Sequence, residues 1–153
     1  MKKIILAIIA GIIPLVLPAA STDFWFRHFS VEDGLSSNSV RAIMQDKYGF
    51  MWLGTDDGLN RYDGTTIKVY NLNPQGSNDY ISSLYDTTDN IWVGTEGGVY
   101  IFDYETESFE LFKVLTAQGD SIKSNVNHIA EDRDGNLWFS TVGQGIFKYN
   151  ISK

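Results

Sequence analysis

One block of sequence occurs three times, and that fact limits the fold more than any single residue does. "DKYGFMWLGTDDGLNRYD" begins at Asp46, "DTTDNIWVGTEGGVYIFD" at Asp86, and "DRDGNLWFSTVGQGIFKYN" at Asp132 with one extra residue. Their tryptophans, Trp52, Trp92 and Trp138, are 40 and 46 residues apart (92 − 52 and 138 − 92). Self-similarity at such a period marks a stack of equivalent supersecondary units. The similarity extends upstream into short apolar runs, "VRAIMQD", "ISSLYD" and "VNHIAED", and downstream into "TIKVYNL" and "SFELFKVL". The third copy stops before that last run. "FWFRHFS", near the start of the chain, has the same character, so residues 24–30 are expected to be an outer strand displaced to the front.

Each copy reads as four short β-favouring runs separated by turn chemistry. In the first, "DKYG" and "DDG" are the turns, with Asp46 opening one and Gly58 closing the other. Gly98 and Gly145 hold the place of Gly58 in the other copies. The triplets Met51-Trp52-Leu53, Ile91-Trp92-Val93 and Leu137-Trp138-Phe139 are apolar at consecutive positions. Neighbouring strand residues point to opposite faces, so these strands bury both. A two-layer sandwich leaves one face wet and shows alternation instead. No helical 3.6-residue stripe is present. The expectation is therefore all-β: about three four-stranded antiparallel β-propeller blades forming an incomplete ring. The repeats span 40–72, 81–114 and 126–150, within a repeat region of 22–153. Small residues after each tryptophan (Gly54, Gly94, Ser140) predict close packing at that point.

The first 21 residues, "MKKIILAIIAGIIPLVLPAAS", combine a basic start, an apolar run and a small-x-small end. That is the layout of a signal peptide with cleavage after Ser21, hence export to the periplasm; an uncleaved anchor is the alternative. The formal charge is −7, with no basic run, which disfavours binding to phosphate backbones, so no nucleic-acid partner is expected. The chain has no cysteine, which excludes disulfides and thiolate sites.

The motifs "EDGLSSNSV" (Glu32 to Val40), D-x-x-G-x-x-W-x-G-T-x-x-G-L and "RYDG" resemble the two-component regulator propeller repeat. The resemblance runs from Phe24 to Asn150. It implies the periplasmic sensor region of hybrid two-component histidine kinases, receptors typical of polysaccharide-degrading bacteria. Family members carry more blades, a membrane span and a kinase. The chain therefore reads as a truncated or fragmentary member, reaching the membrane only through the rest of a receptor. His28 and His128 lie in expected strands, and neither corresponds to a phosphorylated histidine.

Site expectations follow from repetition. Trp52, Trp92 and Trp138 recur in every unit, as a packing requirement does. Asp46, Asp86 and Asp132 are expected to open turns by bonding backbone amides. "DRDGN" begins like a calcium loop but lacks its later oxygen ligands. No metal, cofactor or catalytic residue is expected. Ligand contact is assigned to residues that do not repeat, Asn60 and Arg61, and to the loop aromatics Tyr48 and Tyr80. An oligosaccharide or other periplasmic ligand is the expected partner. Self-association through open blade faces is also expected. Three functions fit: a sensing module, an exported propeller lyase-type enzyme, and a structural or adhesive protein-binding repeat.

Overall fold

Three antiparallel sheets stack side by side in the computed structural model, which describes residues 25–72, 79–113 and 121–151. The segment expected to be a signal peptide lies outside the described residues. The first blade contains β1 (Val40–Gln45), β2 (Met51–Thr55), β3 (Gly58–Tyr62) and β4 (Ile67–Tyr70), paired in sequence order. The second contains β5 (Ile81–Asp86), β6 (Ile91–Thr95), β7 (Gly98–Asp103) and β8 (Ser108–Leu111). The third has three strands: β9 (Val126–Glu131), β10 (Asn136–Thr141) and β11 (Ile146–Asn150). The inner strands β1, β5 and β9 lie against one another in that order, so the second blade sits between the other two.

The local chemistry repeats with the sequence. The β2–β3 turn is closed by Thr55, whose hydroxyl donates to the carbonyl of Gly58 at 2.9 Å. Thr95 does the same to Gly98 at 3.1 Å, and Thr141 to Gly145 at 2.8 Å. Gly58 and Gly98 adopt φ of 115° and 140°, a region that penalises any Cβ. Each inner strand also slips register near its start, around Arg41, Ser82 and Asn127. Such a bulge bends the strand and increases its twist.

Two apolar layers lie between the blades. The first contains Trp52, Leu59, Tyr70, Ile81, Ile91, Val93 and Phe102. Trp52 stacks on Tyr70 at 5.5 Å and meets the edge of Phe102 at 5.0 Å. The second contains Trp92, Val99, Val126, Ile129, Leu137 and Phe139. There Phe112 takes the part of Tyr70, 4.9 Å from Trp92. Each large apolar side chain buried this way stabilises the stack by roughly 1.5–3 kcal/mol. The blades approach too closely for a side chain at Gly54 or Gly94. A Cβ on Gly54 would lie 2.5 Å from Ile81 Cγ2, and one on Gly94 would lie 2.1 Å from Ser83 Oγ.

Residues 25–30 are irregular and do not form the expected displaced strand. Phe29 instead packs edge-on against Tyr62 at 4.9 Å, on the outer side of the first blade. The motif after it folds on itself. Ser30 caps a short 3-10 turn, Val31–Asp33, and exchanges hydrogen bonds with Asp33. Gly34 then reverses the chain at φ 108°, and Leu35 is buried. This plug covers part of the first blade's outer face.

Candidate functional site

The turns β1–β2, β5–β6 and β9–β10 form one continuous rim. Lys47 joins the first two: its backbone N–H donates to Asp86 Oδ2 at 3.0 Å, and its ammonium donates to the Thr88 carbonyl. The second and third are separated by a cleft of about 180 Å³.

Asp46 and Asp132 organise their turns in the same way. Asp46 accepts from the amides of Tyr48 and Phe50, both at 2.9 Å, and from Trp52 Nε1 at 2.7 Å. Asp132 accepts from the amides of Asp134 and Asn136 and from Trp138 Nε1 at 2.8 Å. The indole donor first, and then the Asn136 amide, hold the Asp132 carboxyl well below the usual range.

Asp86 departs from this pattern, contrary to expectation. Its carboxylate turns to the first blade, accepting from Lys47 N and, at 3.3 Å, from the Tyr104 hydroxyl. Thr87 closes the β5–β6 turn in its place, through its hydroxyl and backbone to Asn90. Burial pushes the Asp86 carboxyl up, and the nearby Asp46 charge adds to this. Burial also raises the Tyr104 phenol, with Asp86 second. Trp92, 4% exposed, is left with an indole Nε1 that has no hydrogen-bond partner. A buried donor in that state costs about 1–3 kcal/mol. Trp92 forms part of the cleft wall with Thr87, Thr88, Asp89 and Asn90 from one turn and Glu131 and Gly135 from the other.

The four residues expected to meet a ligand do not converge. Asn60 is fully buried. Its carbonyl accepts from Ser36 N at 2.9 Å, and its amide donates to Ser36 Oγ and to the Leu53 carbonyl. It locks the plug to the first blade and is not accessible to a ligand. Arg61 lies over Phe50 and Trp52 and pairs with Glu107 at 2.9 Å. Lys68 shares that carboxylate, and the two cations lower it, Lys68 more than Arg61. Arg61 is thus a clamp between the first two blades. Tyr48 is 61% exposed, edge-on to Tyr104 on the rim just described. Tyr80 lies at the opposite rim under Arg41, which pairs with Asp56 beside the β2–β3 turn.

Trp52 and Trp92 are packed between blades. Trp138 is only half-buried, on a third-blade face that no other described blade covers, with the Lys148 ammonium 5.0 Å from its ring. His28 belongs to the irregular leading segment and His128 to β9, with the second blade between them. Among the described residues no three potential metal-binding side chains cluster, and no helix is long and apolar enough to cross a membrane. Sequence reasoning missed the cleft. Its available signal was "DTT" at 86–88, where a threonine that can close the turn follows the aspartate.

Stacked antiparallel blades of four, four and three described strands, with an Asp–Trp bond in the first and third, define a β-propeller region. The family model described as two component regulator propeller matches residues 34–57 and 121–143. Those two stretches are thus similar to that repeat. It is similar to the protein described as Histidine kinase P4 of Formosa agariphila, 46% identical over 70 residues, which are 46% of this chain and 5% of that one. It is also similar to what is described as the extracellular domain of a hybrid two component system, BT3049, from B. thetaiotaomicron. That match has 33% identity and a TM-score of 0.73 and covers 82% of this chain and 19% of that one. A second such domain, BT4673 from the same organism, matches at 28% identity and a TM-score of 0.61, covering 76% and 17%. The chain thus spans about a fifth or less of each relative's length.

Proposed function

We propose that this chain is part of the ligand-sensing extracellular propeller of a hybrid two-component receptor, exported to the periplasm and responsive to oligosaccharides. The observation that carries this reading is the match to the BT3049 extracellular domain over 82% of the chain. The rim adds a physical basis. Its turns are held rigidly by Asp46 and Asp132, and the cleft between the second and third blades offers polar groups at a fixed spacing. Loops on a rigid β-scaffold are where binding is usually placed.

Two measurements test the reading. Expression in a Gram-negative host followed by fractionation should place the chain in the periplasm, with Thr22 as its first residue. Recovery from the cytoplasm with Met1 intact would contradict export. Thermal melting against a panel of neutral and acidic oligosaccharides should then find at least one that raises the midpoint. A ligand at about 100 times its Kd stabilises the folded state by about 2.7 kcal/mol. A panel without effect at millimolar concentrations would remove the oligosaccharide assignment.

A further inference from the structure

Both internal blade junctions are built from the same three rings. A tryptophan of one blade, and an aromatic at the end of that blade's fourth strand, meet an aromatic on the third strand of the next. Between the first and second blades these are Trp52, Tyr70 and Phe102; between the second and third they are Trp92, Phe112 and Tyr149. Tyr70 meets Phe102 edge-on at 5.8 Å, and Phe112 meets Tyr149 edge-on at 5.0 Å. The two ends of the chain hold the parts of a further junction. In front of the first blade, Phe29 meets Tyr62 edge-on at 4.9 Å. Arg27 lies 4.6 Å over Phe29, as Lys68 lies 4.6 Å over Tyr70. Tyr62 and Phe102 hold the same register position, opposite Met51 and Ile91. Phe29 precedes β1 by 11 residues, as Tyr70 precedes β5 (40 − 29 and 81 − 70). This pair lacks its tryptophan. At the other end, Trp138 lacks both partner rings: among the described residues the third blade has three strands, and β11 has no outer neighbour.

We infer that the third blade of a second copy of this chain docks against the first blade, with residues 25–30 adding to β11 as its fourth strand. The contact is head to tail. Made twice, it closes a ring of six blades, within the four to eight usual for propellers. Both ends expose apolar groups whose internal counterparts are packed. Ile43 is 67% exposed, whereas Leu84, at the same register position, packs in the first apolar layer. Ile146 is 68% exposed, whereas its counterpart Leu59 is fully buried. The charges also match. Arg61 and Lys68 share Glu107, which comes from the β7–β8 turn of the next blade. Lys148 holds the place of Arg61 opposite the tryptophan, and lies 3.6 Å from Asp132 in the free chain. The turn corresponding to β7–β8 on the first blade is β3–β4, and it carries Asp63. The plug leaves this approach open, because it spans the interval that the inter-blade linker spans before β5. The first and second blades are excluded as occupants: β4 and β8 already fill the place that residues 25–30 would take. Without β11 beside them these residues are irregular, and Trp25 and Phe26 are 90% and 95% exposed. Assembly of this kind does not depend on the ligand class proposed above.

The test is sedimentation velocity of the purified whole chain over a concentration series, beside Ile43→Asp and Ile146→Lys. Both positions are exposed in the free chain, so neither change disturbs the fold of a monomer. The expected result is a reversible monomer–dimer equilibrium that stops at the dimer. Each substitution should raise its dissociation constant by about tenfold or more. A second measurement reads the strand pairing. The chain has no cysteine, so introduced thiols are the only ones present. Counting back from Phe29 as from Tyr70 places Arg27 opposite Lys148 of the other copy, as Lys68 lies opposite Arg61. Within one chain the second blade separates the two positions. Arg27→Cys and Lys148→Cys combined should therefore give a covalent dimer under mild oxidation, and neither alone should. A chain that is monomeric at every concentration would overturn the inference. So would an Ile43→Asp dimer as tight as the parent's, which would mean tail-to-tail contact, a ladder of higher multimers, or a double-cysteine variant that forms no covalent dimer.

Discussion

Replacing Gly94 with alanine tests whether close blade approach, and not strand propensity, fixes a glycine at this place in the repeat. The added Cβ would lie 2.1 Å from Ser83 Oγ and 3.0 Å from both Val126 Cβ and the Val126 carbonyl oxygen. Ser83 is buried and donates to that carbonyl at 2.8 Å. It can yield only by giving up the bond. Overpacking of this kind costs about 1–3 kcal/mol, and the lost hydrogen bond about 1 kcal/mol more. Reduced freedom of the unfolded chain offsets roughly 0.5 kcal/mol. The net loss is about 1.5–3.5 kcal/mol, or a fall in Tm of roughly 6–14 °C at about 4 °C per kcal/mol. The assay is thermal and urea unfolding of Gly94→Ala beside Ser140→Ala. Ser140 holds the equivalent place in β10, already carries a Cβ and lies on the face that no described blade covers. Its variant should stay within about 0.5 kcal/mol of the parent. A Gly94→Ala protein as stable as the parent, or a Ser140→Ala protein equally damaged, would refute the reasoning.

The two aspartate environments predict opposite responses to pH. Asp132 is depressed, so its contribution is present above the unfolded carboxylate value of about 3.9 and lost as pH falls through its lower folded value. Asp132→Asn should therefore melt lower than the parent at pH 7, the gap closing under strong acid. Asp86 is raised, so stability is fully present below about 3.9 and lost as pH rises through its folded value. Asp86→Asn should match or exceed the parent at pH 7, with the advantage shrinking toward pH 4; a lower Tm at pH 7 would count against a desolvated carboxylate. Asn60→Ala leaves Ser36 N and the Leu53 carbonyl without their partner, and should cost about 1–3 kcal/mol in urea unfolding. Self-association through the third blade's face should appear as concentration-dependent mass in light scattering. Ile146→Lys, at a position 68% exposed in the free chain, should reduce it.

The threefold block made the blades legible because each of its letters has a local task. The threonine and glycine close one turn within a few residues, and the aspartate and tryptophan meet six positions apart. Such contacts are encoded where they are made. What was not legible depends on neighbours far along the chain. Asp86 has the same letter as Asp46 and Asp132, yet Lys47 and Tyr104 redirect it from 39 and 18 residues away. Asn60 is the more instructive case. Its failure to repeat suggested a ligand contact, but it differs because only the first blade receives the plug. A unique residue in a repeat can mark an end as readily as a site. "FWFRHFS" has a strand's composition, but composition does not provide a pairing partner, and residues 25–30 stay irregular.

The plug held by Asn60 gives the stack a direction during synthesis. Its residues emerge, from the ribosome or from an export pore, before the blade they cover, so they are already present when that blade's outer face forms. Each tryptophan-bearing face, by contrast, waits for the blade translated after it. A nascent chain of this design is adhesive only at its growing end. Newly emerged blades are thereby steered toward their successor in the same polypeptide and away from blades of neighbouring chains.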